Sequence, residues 1–347
     1  MAAGTRQNRT RARFCTKKYA QIVACTLAFC LLTACQPHPE NLLTDYSTRL
    51  HRVLAIDIIA PAKPELASIP EIRALIVDVP TVSIELSDML SLDTCDLETL
   101  VAERNSSLGK VQTDASLLQY ELRLLSKLTA CLQQPGLMSE LDPDLQAKLQ
   151  DILLIKQQTL PDVLRNLLSR EPTLRQQLSG NHRGLQTDQG GITETREALK
   201  QLNLLRQLIL QQDFQAASQI DINQALGVLH RSQLLADLQH SLRLSDHFFR
   251  QLNLQLSEVS ADKLCDTDKT VRENLLLQIF IGRVQTELAR VDGVALQLVP
   301  ELLNLYQHHP LAAVVQQRLQ QPQLGLQQQL RQHVNFWQRW RQCDKPR

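Results

Sequence analysis

Aromatic side chains are scarce in this sequence, at 4% of residues, and the short signatures that mark common chemistries are missing. No C-x-x-C pair and no H-E-x-x-H occurs, so the ligand spacings of zinc sites are absent and no metal is expected. No G-x-S-x-G and no K-T-G occurs, which removes the elbow of the serine hydrolases and the partner motif of penicillin-binding enzymes. Apart from one stretch near the start, no apolar run approaches the roughly 20 residues of a membrane-spanning helix. No repeat of fixed period stands out. These gaps argue against an enzyme: no catalytic residue and no cofactor is expected.

The chain instead carries a strong address. Residues 1 to 19 hold Arg6, Arg9, Arg11, Arg13, Lys17 and Lys18 and no acidic residue, and an apolar run follows from Ala20 to Ala34. A basic segment, an apolar segment and small residues at its close form a secretory signal. As a helix the run would span roughly 22 Å, short of the ~30 Å hydrocarbon core. Its end, Leu32-Thr33-Ala34-Cys35, resembles a bacterial lipobox. The resemblance implies cleavage between Ala34 and Cys35, with acyl chains on the Cys35 sulfur and on the new amino group. One chain anchors only marginally, at ~0.8 kcal/mol per methylene, and several hold permanently. Gln36 follows the cysteine in place of Asp, which implies the outer membrane, facing the periplasm.

Cleavage would change the charge. The full chain has 37 basic and 36 acidic residues, and all six charges of residues 1–34 are basic. The remainder is therefore mildly acidic, at −5, which argues against nucleic acid. Beyond Cys35 and the three cysteines before it, four remain: Cys95, Cys131, Cys265 and Cys343. An even number in an oxidising compartment predicts two disulfides. Of three possible connectivities, Cys95–Cys131 with Cys265–Cys343 is favoured, because each would close one half of the chain.

Leucine outweighs valine and isoleucine, and the apolar period is helical almost throughout, so the fold class is all-α: a bundle-like array of about ten helices. Residues 35–40 form a tether. Helix is expected over 41–56, then an extended segment punctuated by Pro61, Pro64, Pro70 and Pro80. A brief alternation over 79–86 suggests one strand, with helices over 83–92 and 96–106. Firm helical periodicity runs over 113–133 and 142–158, with Pro161 and Pro172 each opening a further helix. Residues 179–193, with four glycines and no apolar period, read as a linker between subdomains 41–178 and 194–347. In the second half helices are expected over 194–212, 223–256 and 270–307, the last opened by a Thr270–Glu273 capping box and kinked or interrupted at Pro300. A final helical region over 311–342, broken at Pro322, keeps an apolar stripe among 11 glutamines.

Ser107-Leu108-Gly109-Lys110 is an S-x-x-K, in which a helical turn could set an amine beside a hydroxyl. Its recurrence at Ser260–Lys263 and the missing sheet weaken it as a nucleophile motif. The same stretch carries a second likeness. Cys95-Asp96-Leu97 and Ala102-Glu103-Arg104-Asn105-Ser106-Ser107-Leu108-Gly109-Lys110-Val111, with the Leu42–Leu54 helix and KQQTLPDVL at Lys156–Leu164, resemble an uncharacterised proteobacterial lipoprotein family (domain of unknown function 3080). The resemblance implies a lipidated periplasmic protein and no established activity.

Five consecutive polar residues, Glu103, Arg104, Asn105, Ser106 and Ser107, wrap round a helix. Either they satisfy backbone groups where helices meet the Pro-rich segment, or they form a recognition patch. At the other end, NFWQRWRQC concentrates Phe336, Trp337 and Trp340. This cluster either docks beside the Cys343 disulfide or makes a partner contact. The histidines offer no ligand spacing and read as surface or capping residues. The expectation is a non-enzymatic binding or scaffold lipoprotein, anchored by Cys35 and contacting another envelope component. A lipid or hydrophobic-ligand binder is the alternative, and a hydrolase without a motif is third.

Overall fold

The computed structural model describes residues 39–60, 65–82, 95–134, 136, 139, 141–186 and 189–344. Within these residues all regular structure is helical. The signal, Ala34, Cys35 and the helix expected over 83–92 lie outside them.

The first helix, α1 (Pro39–Leu54), exists because Leu42, Leu43, Tyr46, Leu50 and Leu54 recur on one face, and all five are buried. It stops where Ala55 takes a left-handed φ of 46°, a conformation that ends a helix. The extended segment that follows includes one 3₁₀ turn, Ile72–Ala74. Residues 79–82 are extended but form no strand; the rest of the expected strand lies outside the described residues. The chain here is held by a side chain: Val77 donates its N–H to Asn166 Oδ1 (2.9 Å) and accepts from Asn166 Nδ2 (2.8 Å). One amide thus does for Val77 what a neighbouring strand would do.

Helix α2 (Glu98–Asn105) leads through a 3₁₀ turn, Gly109–Val111, to α3 (Asp114–Leu132). Thr113 caps α3 by accepting from the Ser116 N–H. Helix α4 (Pro143–Arg170) opens on Asp142 and runs straight through Pro161, where a separate helix was expected. Leu160, Val163, Leu164, Leu167 and Leu168 are all buried. Their packing outweighs the hydrogen bond that proline forgoes.

Then come α5 (Pro172–Ser179), α6 (Ile192–Leu210), α7 (Phe214–Ser218), α8 (Ile222–Arg231) and α9 (Leu234–Glu258). The single helix expected over 223–256 is two: Ser232 is extended, and its Oγ accepts from Leu234 N–H. After α10 (Ala261–Cys265) and α11 (Lys269–Asn274), Leu275–Gln285 is π-helical and continues into α12 (Thr286–Leu305), which contains Pro300. Asp268, not Thr270, caps α11, accepting from Val271 N–H. Finally α13 (Ala312–Val315), a π turn (Gln316–Gln320) and α14 (Gln321–Arg341) follow without a gap. Pro322 lies in the first turn of α14, where the π turn runs on into it, and the helix continues through it.

One apolar core includes Leu118, Leu122 and Leu164 from the first half and Leu199, Leu238 and Leu298 from the second. The glycine-rich segment therefore does not separate two cores. It enters and leaves through Gly180 (φ 71°) and Gly191 (φ 85°), conformations that favour glycine. Between them Leu185 is buried, its N–H donating to Ser241 Oγ (2.9 Å). The fully buried Asp237 carboxylate gathers Asn181, Arg183 and Gln189. A smaller second core joins α2, α3 and α4, with Leu97, Leu100, Leu124, Leu128 and Leu149. Helix α3 serves both cores from opposite faces.

Candidate functional site

The smaller core borders a cavity of about 640 Å³, lined by the extended segment Ile76–Val82 and by α2, α3 and α4. Two ion pairs reach it. Lys156 Nζ on α4 donates to Glu121 Oε1 on α3 at 2.5 Å, with both side chains at least 90% buried. Arg170 pairs with Asp114. Glu121 Oε2 is buried and has no hydrogen-bond partner among the described residues. The adjacent Tyr120 also lines the cavity and is 5% exposed. Burial, and then the Glu121 carboxylate, push its phenol up to about 12. Tyr120 therefore remains a hydrogen-bond donor throughout the neutral range.

The five-residue polar run splits. Arg104 and Asn105 line the cavity. Arg104 Nη1 donates to the Gly109 carbonyl, and its guanidinium stands 6.0 Å from the centre of the Tyr120 ring. Glu103 faces elsewhere, accepting from Arg123 Nη2 at 2.8 and 3.1 Å. Ser106 closes the turn: its Oγ donates to Glu103 O (2.7 Å) and accepts from Gly109 N–H (3.0 Å). Ser107 is exposed. Gly109 is required here, because a Cβ would overlap the carbonyls of Glu103 and Arg104. The turn so fixed leaves Leu108 86% and Val111 84% exposed, with Lys110 between them lining the cavity. Within the run, Arg104 and Ser106 thus bond to backbone groups, while Asn105 lines the cavity and Ser107 is exposed.

The segment that builds this site is the one that carries the sequence likeness, and a family model settles it. The model described as "Protein of unknown function (DUF3080)" matches residues 43–346. The chain belongs to this family. No curated protein and no solved structure matches it.

Elsewhere in this DUF3080 chain the candidates are structural. The structure joins Cys95 to Cys131 and Cys265 to Cys343. Phe336, Trp337 and Trp340, read as a possible partner contact, are at most 3% exposed. Trp340 Nε1 donates to Leu264 O (2.8 Å), and its ring stacks on Trp337 with centroids 5.0 Å apart. Docking α14 beside the second disulfide turns these rings inward, so they form core and no surface contact.

His333, which the sequence did not single out, lies at the centre of that core. Tyr46, Phe249, Phe280, Phe336 and Trp337 all pack on its ring. Only its spacing on the apolar stripe of α14 could have signalled this. Burial pushes its pKa down to about 3. His240 and His309, expected at the surface or as caps, are buried as well, and burial lowers both. His309 does act as a cap, its Nδ1 accepting from Leu311 N–H (3.0 Å). That leaves Nε2 protonated and donating to Arg165 O (3.2 Å) and Ser169 Oγ (3.1 Å). The Ser169–His309 pair thus carries its proton on the wrong partner for a histidine to activate a serine. Among the described residues no group of acidic, His and Cys side chains converges to hold a metal ion, and no helix is long and apolar enough to cross a membrane.

Proposed function

We propose that this protein is a non-enzymatic binding lipoprotein of the bacterial envelope. Acyl chains on Cys35 would hold it on the inner leaflet of the outer membrane, and it would contact another envelope component at the cavity between α2, α3 and α4. One observation carries the binding reading. The turn at Ser106–Val111 is locked by side-chain and backbone hydrogen bonds and by Gly109, yet it presents Leu108 and Val111 almost fully to solvent beside the cavity. Rigid display of aliphatic side chains next to a concave, mixed-polarity site is the form of a recognition surface.

The test places a photo-crosslinking residue at Leu108 in cells and a control at exposed Leu204, on α6. A discrete adduct at Leu108, absent at Leu204 and suppressed by excess purified protein, supports the reading. Equal labelling at both positions, or none at Leu108, overturns it. The alternative, a hydrophobic-ligand binder, draws on the apolar part of the same lining. A Leu108 adduct to a macromolecule favours the first reading over it.

A further inference from the structure

We infer that the groove between α9 and α14 binds a short acidic sugar chain. This groove shares no lining residue with the cavity between α2, α3 and α4, so the two sites are tested independently.

Helices α9 and α14 lie side by side and parallel. A Cβ at Gly325 would overlap Asp246, Asn253 donates to Gln329, and Arg339 reaches the Leu256 carbonyl, so residue numbers rise together on both helices. A groove of about 520 Å³ runs between them. Its floor is committed to the fold. Asn253 Nδ2 donates to Gln329 O (2.8 Å) and Oε1 (3.0 Å), and Phe336 is 3% exposed. Its α14 wall is not committed. Gln328, Gln332 and Asn335 line the groove, are exposed, and make no side-chain hydrogen bond among the described residues. The glutamines on the next stripe of α14 differ: Gln323 and Gln327 donate to Asp292 Oδ1, at 3.5 and 2.9 Å.

The three free amides and Arg339 are spaced four, three and four residues apart, which places them on one stripe of the helix. At ~1.5 Å per residue the stripe is about 16 Å long, with a mean step of about 5.5 Å. Each amide presents a donor and an acceptor side by side. Neighbouring hydroxyls on a sugar ring match that pair, since each both gives and takes a hydrogen bond. The step is close to the length of one pyranose unit, so successive amides meet successive sugars. A peptide strand fits less well. Its backbone groups face one side only at every second residue, about 6.7 Å apart, so it drifts off the row by about 2 Å within two steps. An acyl chain would desolvate the amides and give them no partner. Nucleobases need an exposed aromatic platform, and Phe336, the one aromatic lining residue, is buried.

The charges narrow the class. No acidic side chain lines the groove among the described residues, and Arg250 and Arg339 stand toward its two ends. Arg250 donates to both carboxylate oxygens of Asp246, at 3.0 and 3.1 Å. Arg339 meets only the Leu256 carbonyl, at 3.4 Å, and no carboxylate among the described residues. A carboxylate carried on a sugar would complete it. On the α9 wall Leu254 is 59% exposed and offers apolar surface to the C–H face of a ring.

The experiment titrates the purified protein, residues 36–347, which keep every described residue. The probes are tri-galacturonate, its methyl ester and tri-L-glutamate, read by calorimetry and by NMR of the side-chain amide signals. The expected result is binding of tri-galacturonate, about tenfold weaker binding of the neutral ester, and no response to the peptide. Gln332→Ala and Asn335→Ala are each expected to weaken the sugar about fivefold with an unchanged melting curve, since both side chains are exposed and unbonded. Arg339→Gln should weaken the acid and leave the ester unchanged. Gln278→Ala, an exposed glutamine on the π-helical segment, should change neither. Silence of both saccharides at about 10 mM, where even weak sites register, overturns the inference. So does peptide binding as tight as that of the sugar, which would make the groove a peptide site. Sugar binding that Gln332→Ala and Asn335→Ala leave unchanged lies elsewhere on the surface and overturns it too.

Discussion

Tyr46 on the first helix donates its hydroxyl hydrogen to Nε2 of His333 on the last, at 2.5 Å. The direction follows from the other end of the ring. Asn253 gives its Nδ2 hydrogens to Gln329 O (2.8 Å) and Oε1 (3.0 Å), so its Oδ1 must accept from His333 Nδ1–H (2.9 Å). That fixes the neutral tautomer and leaves Nε2 as an acceptor for Tyr46 and for Trp337 Nε1 (3.2 Å). Trp337 also donates to Tyr46 Oη (3.2 Å). Residues 287 positions apart thus share one buried polar network. Tyr46→Phe is expected to cost about 1–2 kcal/mol, measured by urea unfolding.

The same histidine sets a pH dependence. Its folded pKa of about 3 lies below the ordinary value of 6.5. Below about pH 6.5 the unfolded chain takes up a proton that the folded chain refuses. Stability is therefore complete above that pH and falls as pH drops toward 3, by up to about 1.4 kcal/mol per unit. His240 and His309, also lowered by burial, act in the same direction. Urea midpoints at about pH 7, 5.5 and 4.5 should fall less steeply in His333→Gln than in the parent. Parallel slopes would show that His333 is not the group involved.

Lys156 and Glu121 form a buried pair whose members are unequal when alone. Lys156→Ala leaves a buried carboxylate without its cation, and a loss of about 3–5 kcal/mol is expected. Replacing both together, as E121L/K156L, is expected to stay within about 1–2 kcal/mol of the parent. A double mutant as unstable as the single one would contradict this account.

The two disulfides close loops of 36 and 78 positions. In the chain-entropy view each restricts the unfolded state by about 4 kcal/mol. Alkylation without reductant should leave all four cysteines unlabelled by mass, and reduction should lower the melting temperature markedly. Four labelled thiols in the native protein would refute the pairing.

The membrane anchor is tested at one atom. Cys35→Ala removes the sulfur on which the proposed acyl chain is built, and the protein should then leave the membrane fraction. A variant that stays membrane-bound would mean that something other than Cys35 holds the protein there.

What the sequence determined by itself was local. Leucine spacing made the helices, since a stripe at i, i+3 and i+4 has one stable way to bury itself. Thr113, Asp142 and Pro172 marked helix starts because a cap or a fixed φ acts within one turn. Cysteine parity gave the disulfide count, and the Ala102–Val111 likeness gave the family. Tertiary structure decided what depends on partners distant in the chain. Pro161, Pro300 and Pro322 stay within continuous helical runs because packing outweighs one lost bond. The 179–193 segment is a docked loop because Asp237, about fifty positions on, collects its polar groups. The tryptophans and His333 are core because α1, α9 and the π-helical segment close over α14. The cavity itself joins α2, α3, α4 and the irregular segment held by Asn166, 89 positions from Val77. No local pattern encodes that meeting, since it exists only once the helices have packed.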